Sequence, residues 1–449
     1  MYKFSPKAEL LIYCYQNKQK KENMMEIYVV KRGDTLSSIA AAYRVPMGLL
    51  AVWNGLSAPF ALVVGQALLI LYPTAVYTVR AGDTVFAIAR RFGTTVREIY
   101  ANNPNLYGGV VPLSVGQTLV LRFANTRIGE ARVNSYAYPD INDRALFGNL
   151  PYLSSLAPFT YGFTPDGRLL PMEDDHLIDV SETLSVMPLL HLSTLTEGGT
   201  FSNALSSAIF RDPAAQERLL ADLLRTMREK GYGALDIDFE FVLPEEAEAY
   251  AEFIGYLRRG LNAQGYPVIA ALAPKSSRDQ KGIGYEGHDY RLIGEAADAV
   301  FVMTYEWGYT YGPPLAVAPI ASVRRVLDFA VGEIPSEKIY MGLPNYGYDW
   351  TLPYKPSESR ARSIGNEEAL VLARRFGAQI HYDEASAAPY FFYYDNGVQH
   401  EVWFEDARSY MAKLRLIEEY GFAGVGIWNI MRPFTQGFLV LQNLYRVLY

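Results

Sequence analysis

The chain has 449 residues, half of them hydrophobic and a fifth charged, the balance of a globular protein with a large core and room for more than one domain. A formal net charge of −7 and a sequence pI near 5.5 supply no clustered basic footprint, which argues against nucleic-acid partners and against an anionic membrane surface. A single cysteine, Cys14, excludes an intramolecular disulfide and a zinc site of ordinary Cys/His spacing; five scattered histidines without an H-E-x-x-H pattern predict no metal and no cofactor.

In chain order, residues 1–25 come first. The apolar run Leu10–Tyr15 is too short for a membrane span, and it is too broken by polar residues to read as a signal peptide. A basic stretch from Lys18 to Lys21 follows, and Met24 and Met25 then precede the first well-patterned segment. This tail is expected to be a disordered extension or an over-called start, with no membrane insertion and no recognisable export signal.

An internal repeat comes next. Tyr28-Val29-Val30-Lys31-Arg32-Gly33-Asp34-Thr35 returns as Tyr77-Thr78-Val79-Arg80-Ala81-Gly82-Asp83-Thr84, Asn54 returns as Asn103, and Val64-Gly65-Gln66 returns as Val115-Gly116-Gln117. Each copy, 26–72 and 76–123, predicts a small strand-helix-helix-strand unit. Gly-Asp turns the chain, Asp34 or Thr35 (Asp83 or Thr84) caps a helix with apolar face Leu36, Ile39, Ala40 and Tyr43, and Pro46 fits the first turn of the second helix. The closing strands are predicted at Leu68–Leu71 and Leu119–Leu121. The repeat resembles the LysM module. That resemblance implies binding to chitin or peptidoglycan, with Gly33, Asp34, Thr35, Asn54, Gly82, Asp83, Thr84 and Asn103 as motif positions, most of them explained by turn and cap chemistry alone. Two weak modules on one chain raise avidity for a repeating polymer where the linkers permit simultaneous contact.

Beyond residue 127 strand-like and helix-like segments alternate. Strands are predicted at Arg132–Tyr138, Leu156–Phe163, Leu184–His191, Gly233–Phe241, Val268–Ala273, Ala299–Glu306, Lys338–Asn345 and Gly424–Ile427, with amphipathic helices such as Ala214–Lys230, Glu245–Leu261 and Ala321–Val331 between them. The pattern predicts an α/β chain whose residues 127–449 form a (β/α)8 barrel, with its active site at the C-terminal strand ends. A small α+β insertion is expected at about 350–405, from the helix Asn366–Phe376 and the strand-like Tyr390–Tyr394 and His400–Phe404. It would wall one side of a cleft.

The most informative segment is Leu235-Asp236-Ile237-Asp238-Phe239-Glu240. Strand alternation places the three acids on one face, about 6.5–7 Å apart, and the apolar residues on the other. Repulsion within such a row raises at least one pKa and so keeps a proton available to a leaving group. Glu240, nearest the rim, is the natural donor. A structural network with Arg or Lys, or a divalent metal on oxygen ligands, remains an alternative from spacing alone.

These residues are similar to the D-x-D-x-E signature of family 18 glycoside hydrolases, the chitinase-like group. Met303-Thr304-Tyr305-Glu306, Gly342-Leu343-Pro344-Asn345-Tyr346-Gly347 and Trp428 fall on the sixth, seventh and eighth predicted strands, as that resemblance requires. It implies a substrate-assisted, retaining mechanism, with Glu240 as acid, Asp238 orienting the 2-acetamido group, Asp236 sharing a proton beneath it, and Tyr305 donating to the acetamido oxygen. Trp428 would form the floor beneath the cleaved sugar, and Met303, Glu306, Asn345 and Tyr346 would line the site. The sequence departs from the pattern in two places. Gly233 and Ala234 replace the leading Asp-Gly, and Glu306 stands where Asp is usual and reaches farther into the cleft. The 34 Tyr, 22 Phe and 5 Trp suit sugar rings, which offer a C–H face and a polar rim. Two such modules ahead of such a barrel resemble the spore-cortex-lytic N-acetylglucosaminidases of endospore-forming bacteria. The implied partner is peptidoglycan or another N-acetylglucosamine polymer, in or around the spore. A chitinase, or a chitinase-like lectin without catalysis, are the alternatives.

Overall fold

The computed structural model describes residues 25–124, 127–195, 200–282 and 284–449. The expectation for the tail concerns residues 1–24, which lie outside the described residues.

Eight parallel strands close on themselves: β1 (Gly129–Ala137), β2 (Ser155–Pro158), β3 (Met187–Ser193), β4 (Ala234–Asp238), β5 (Val268–Leu272), β6 (Ala299–Val302), β7 (Ile339–Pro344) and β8 (Gly424–Trp428). Consecutive strands pair in parallel, and β8 returns to pair with β1 through Gly424↔Arg132 to Ile427↔Ser135. This is the expected barrel. Its strand limits differ from the sequence expectation mainly at the C-terminal ends. β4 stops at Asp238 rather than Phe241, because the chain turns at Glu240 and Phe241 takes φ 58°. β6 stops at Val302 rather than Glu306, because Thr304 and Tyr305 donate to the carbonyls of Val302 and Met303 in tight successive turns. β3 runs from Met187 to Ser193, later than the predicted Leu184–His191, since Leu184 caps the preceding helix.

Helices cover the barrel. Pro213–Lys230 begins where Asp212 accepts from the amides of Ala214 and Ala215, and it ends at Gly231 with φ 78°, a left-handed conformation that glycine adopts without a Cβ clash. Its buried face is Ala215, Leu219, Leu223 and Met227. Inside the barrel two glycines make room for rings. A Cβ on Gly426 would meet the Phe301 ring at 2.3 Å, and one on Gly342 would meet the Val302 carbonyl at 2.7 Å and the Tyr305 ring at 2.8 Å. Since Gly342 and Gly426 are register partners, β7 and β8 together clear the space above the barrel interior.

The insertion after β7 is a five-stranded antiparallel sheet of Gly347–Thr351, Arg362–Ile364, His381–Asp383, Ala388–Asp395 and Val398–Trp403, with the helix Asn366–Arg375 against it. It begins earlier and carries more strands than the two predicted.

Each N-terminal repeat is the expected βααβ unit. The first has Met25–Val29 paired with Ala67–Leu71 around helices Leu36–Tyr43 and Met47–Trp53; the second has Pro73–Thr78 paired with Thr118–Phe123 around Val85–Phe92 and Val96–Asn102. Pro46 is the cap of its helix rather than a first-turn residue. Only Tyr72 separates the modules, and both are fastened to the barrel. Gln436, in the helix Thr435–Leu444 after β8, donates to Asn54 Oδ1 (2.7 Å) and the Ala67 carbonyl (2.9 Å), and Gln442 of the same helix donates to the Ala101 carbonyl (3.0 Å). Arg97 reaches the carbonyls of Pro151 (3.1 Å) and Leu184 (2.7 Å). No single helix among the described residues is long and apolar enough to cross a membrane.

Candidate active site

Asp236 and Asp238 point into the barrel from β4, while Leu235 and Ile237, which alternate with them, are buried on the other face. Glu240 follows in the turn. Phe239 keeps the alternation because its ring is drawn away from the lumen into a stack with Phe163 (5.4 Å), Tyr250 (5.7 Å) and Phe253 (5.7 Å). The turn is fixed from below by His288, whose Nδ1 accepts from the amide of Ala273 (2.9 Å) and whose Nε2 therefore donates to the Phe239 carbonyl (3.0 Å). Burial lowers the pKa of His288 to about 4, so the ring is neutral and holds that tautomer. Glu240 stands half-buried at the mouth, and the two aspartates lie deeper.

The electrostatics follow from burial. Desolvation and the charge of Asp238 push Asp236 up, partly offset by the neighbouring Tyr136 hydroxyl, and desolvation also pushes Asp238 up. Glu240 is raised to about 8, by desolvation first and then by Asp238 and Glu306. The nearest basic group is His191, whose Nε2 lies 3.7 Å from Asp238 Oδ2; burial lowers its pKa to about 3, so it brings no positive charge. Its Nδ1 meets the Thr160 hydroxyl at 2.7 Å, and that hydroxyl donates to Ser193 Oγ at 3.0 Å. Both oxygens of Asp236 and Oδ1 of Asp238 are buried without a hydrogen-bond partner of good geometry. Three buried carboxyls without a cationic partner among the described residues oppose one another's ionisation, which favours keeping protons within the row. A structural network with Arg or Lys, the alternative left open by spacing, has no cation here among the described residues.

The surrounding residues lie at neighbouring strand ends. Tyr305, after β6, is buried beside the acids, and its hydroxyl is held well above the usual range by desolvation and by Asp238, Glu240 and Glu306. Trp428 ends β8, half-buried, with its ring 4.8 Å from Phe159 and 5.3 Å from Tyr136. Glu306 is exposed at the rim with φ 69° and accepts from the hydroxyls of Tyr346 and Tyr348 (3.1 Å). Met303 is half-buried in the turn before Tyr305. Asn345 differs from its expected place. It is 1% exposed, and its amide donates to the carbonyls of Asn429 (2.8 Å) and Arg432 (2.9 Å) while Oδ1 faces Asn366. It braces the loop after β8 instead of lining the cleft.

Sequence reasoning missed His191, Tyr136, Thr160, His288 and Tyr348. A signal for the first was present: His191 and Ser193 pair in register with Asp236 and Asp238, so inward positions matched across adjacent strands would have found it.

In the N-terminal repeats the motif positions are structural. Asp34 accepts from Tyr28 Oη and the Lys31 amide, both at 2.7 Å, and Asp83 accepts from Tyr77 Oη and the Arg80 amide, also at 2.7 Å. Thr35 and Thr84 are the caps, and Gly33 and Gly82 take φ 91° and 83°. Asn54 donates to the carbonyls of Leu50 (2.8 Å) and Leu69 (2.9 Å) and accepts from the Leu69 amide; Asn103 does the same with Ile99, Val120 and the Val120 amide.

A parallel barrel with an acid row at the C-terminal mouth is the framework of a glycoside hydrolase. The chain belongs to the glycosyl hydrolases family 18, whose model matches residues 186–432, and the LysM domain model matches 28–70 and 77–122. It is 38% identical over 430 residues to the Cortical fragment-lytic enzyme of Bacillus subtilis (strain 168), covering 94% of this chain and 99% of the relative. Among solved structures it is similar to the spore cortex-lytic enzyme SleL of Bacillus cereus, with a TM-score of 0.80 and 35% identity over 95% of this chain and 99% of that one. The SleL structure from Bacillus megaterium QM B1551 gives a TM-score of 0.80 and 37% identity, over 95% and 99% of the two chains.

Proposed function

We propose that this glycoside hydrolase is a spore-associated N-acetylglucosaminidase of the cortex or coat that cuts β-1,4 bonds after N-acetylglucosamine in cortex peptidoglycan during germination, with retention of configuration. The observation that carries the reading is the row Asp236, Asp238 and Glu240 at the mouth of the barrel, its deeper carboxyl oxygens buried without a partner, where burial also pushes Glu240 up to about 8. An acid protonated at neutral pH can donate to a glycosidic oxygen.

In the proposed sequence Glu240 gives its proton to that oxygen as the bond to the anomeric carbon breaks, and the substrate's acetamido oxygen attacks the same carbon to give an oxazolinium ion. Water then opens the ring and returns a proton to the Glu240 carboxylate. Asp238, with its charge held by a proton shared with Asp236, orients the acetamido N–H. Tyr305 donates to the acetamido oxygen. Trp428 is the floor beneath the sugar, Met303 and Tyr346 close its sides, and Glu306 reads the sugar at the rim. Asn345 acts through the loop it braces. No protein group then serves as nucleophile, which departs from the two-carboxylate scheme. The names of the three relatives, all cortex-directed, support peptidoglycan as the polymer, and the LysM pair supports retention on it.

The test is digestion of purified cortex and of chitin oligomers side by side, with mass spectra of the products. N-acetylglucosamine at the new reducing end of cortex fragments is expected. Faster turnover of chitin would instead make the chain a chitinase.

A further inference from the structure

Beside Tyr305 and Glu306, between the segment after β5 and the helix Ile320–Glu333 after β6, lies a pocket of about 110 Å³. Two of its lining residues belong to the active site as well: Tyr305 is buried beside the acid row, and the charge of Glu306 acts on Glu240. The pocket and the site of cleavage therefore share a wall. Sites that enclose a complete small ligand run to roughly 300–1,000 Å³, so this one suits a substituent projecting from a sugar and not the ring itself.

The lining offers donors. Arg325, on that helix, makes one hydrogen bond, to the Ser322 hydroxyl at 2.9 Å, and has no carboxylate partner among the described residues. The basic groups near it in the chain or in the fold are already committed: Arg324 pairs with Glu419 (2.7 Å), Arg278 with Glu333 (2.8 Å) and Lys281 with Glu286 (3.0 Å). The Trp307 indole N–H and the Tyr285 hydroxyl, also in the lining, make no hydrogen bond among the described residues. Ser276 and Gln280, by contrast, satisfy each other, the Ser276 amide and hydroxyl donating to Gln280 Oε1 at 2.7 and 3.0 Å. Glu306 is the one carboxylate in the lining, and its oxygens accept from the hydroxyls of Tyr346 and Tyr348 and not from Arg325. A guanidinium and an indole N–H can only donate, and charge-assisted bonds from arginine to a carboxylate are among the strongest available. The complementary ligand is an anionic oxygen group.

Peptidoglycan has such a group and chitin does not. The sugars that alternate with N-acetylglucosamine in peptidoglycan can carry a lactyl ether ending in a carboxyl, either free or extended by a peptide with carboxylates of its own. Chitin repeats a neutral sugar. We propose that this pocket receives a carboxylate-ended substituent of the sugar adjoining the cleaved bond, with Arg325 as the anion-binding group and Trp307 as the second donor. The proposal rests on the reading of the barrel as a peptidoglycan hydrolase and names the part of that polymer by which the site tells it from chitin.

The experiment uses the full-length protein and peptidoglycan oligosaccharides of one length in three forms: peptide-bearing, stripped of peptide by an amidase to leave the lactyl carboxylate, and stripped with that carboxyl converted to a neutral amide. The readout is the ratio of kcat/KM for each charged form to that for the neutral one. Arg325 is exposed and makes one bond, so its replacement spares the fold. Arg325→Gln should lower the ratio about tenfold, the size of one lost charge-assisted hydrogen bond. Trp307→Phe, which keeps a ring and removes the N–H, should lower it about threefold. A fall with both charged forms places the carboxylate on the lactyl group, and a fall with the peptide-bearing form alone places it on the peptide. A ratio that Arg325→Gln leaves unchanged, including an equal loss on all three forms, overturns the subsite. Should wild type cut chitin oligomers and none of the three forms, the reading of the polymer fails; the pocket is then judged by the ratio of Kd values for the same forms in a Glu240→Gln background, where no change on adding Arg325→Gln overturns it.

Discussion

The acid row of β4 and the motif residues of the LysM modules are both short sequence signatures, yet they occupy opposite physical states. Asn54 and Asn103 are buried with amides bonded to the backbone on both sides, while Asp236 and Asp238 are buried with carboxyl oxygens that find no good partner. A buried polar group with every bond made contributes stability, whereas one without partners carries a desolvation cost that folding alone does not explain. On the proposed reading, the incomplete cluster marks the chemistry and the complete clusters mark the scaffold that carries it.

That contrast breaks most sharply at Glu240. Glu240→Gln is expected to lower kcat by about 100-fold or more while leaving the melting temperature unchanged or higher; turnover near wild type would remove the acid role. Asn54→Ala should do the reverse, costing about 2–3 kcal/mol of stability through its lost backbone and Gln436 partners, with kcat intact at a temperature where the protein remains folded. Denaturant melts read this effect, and a kinetic loss without a stability loss would erase the distinction. The pH profile sharpens the comparison. Because Glu240 holds its proton to about 8, kcat should fall as pH rises through that value, by about tenfold per unit beyond it. The folded state also binds this proton more tightly than the unfolded chain, so stability should decline as pH climbs from the ordinary carboxylate range through about 8. Glu240→Gln should remove the activity trend and lessen the stability trend, to which Asp236 and Asp238, also pushed up by burial, still contribute. The smallest effect belongs to Thr84→Ala, which removes a helix cap and should cost about 1 kcal/mol with no change in turnover.

What the sequence made legible follows the same division. The period of two in Leu235-Asp236-Ile237-Asp238-Phe239-Glu240 exposes which side chains share a face, and the duplicated Gly-Asp-Thr turn exposes the repeat, because both are local. The end of β4 was not legible, since the turn at Glu240 is held by His288, far along the chain. His191 and Tyr136 escape for a related reason: the partner of the first sits on the adjacent strand and that of the second across the barrel, and sequence distance hides both. Asn345 was misread because a polar residue at a strand end resembles a ligand-binding group, and only the carbonyls of Asn429 and Arg432 reveal its engagement. The insertion was half-legible. Its central hairpin alternates, while strands as short as Arg362–Ile364 and His381–Asp383 have no period to read.

The fastening of the modules through Gln436, Gln442 and Arg97 has a mechanical meaning. A polymer-gripping domain on a loose tether samples many positions and lets its catalytic partner cut at many offsets. On the proposed reading the grip and the blade are joined by these bonds, so the distance between a sugar held by the modules and the severed bond is set like the stop on a saw bench, and the pieces that fall away should carry that length.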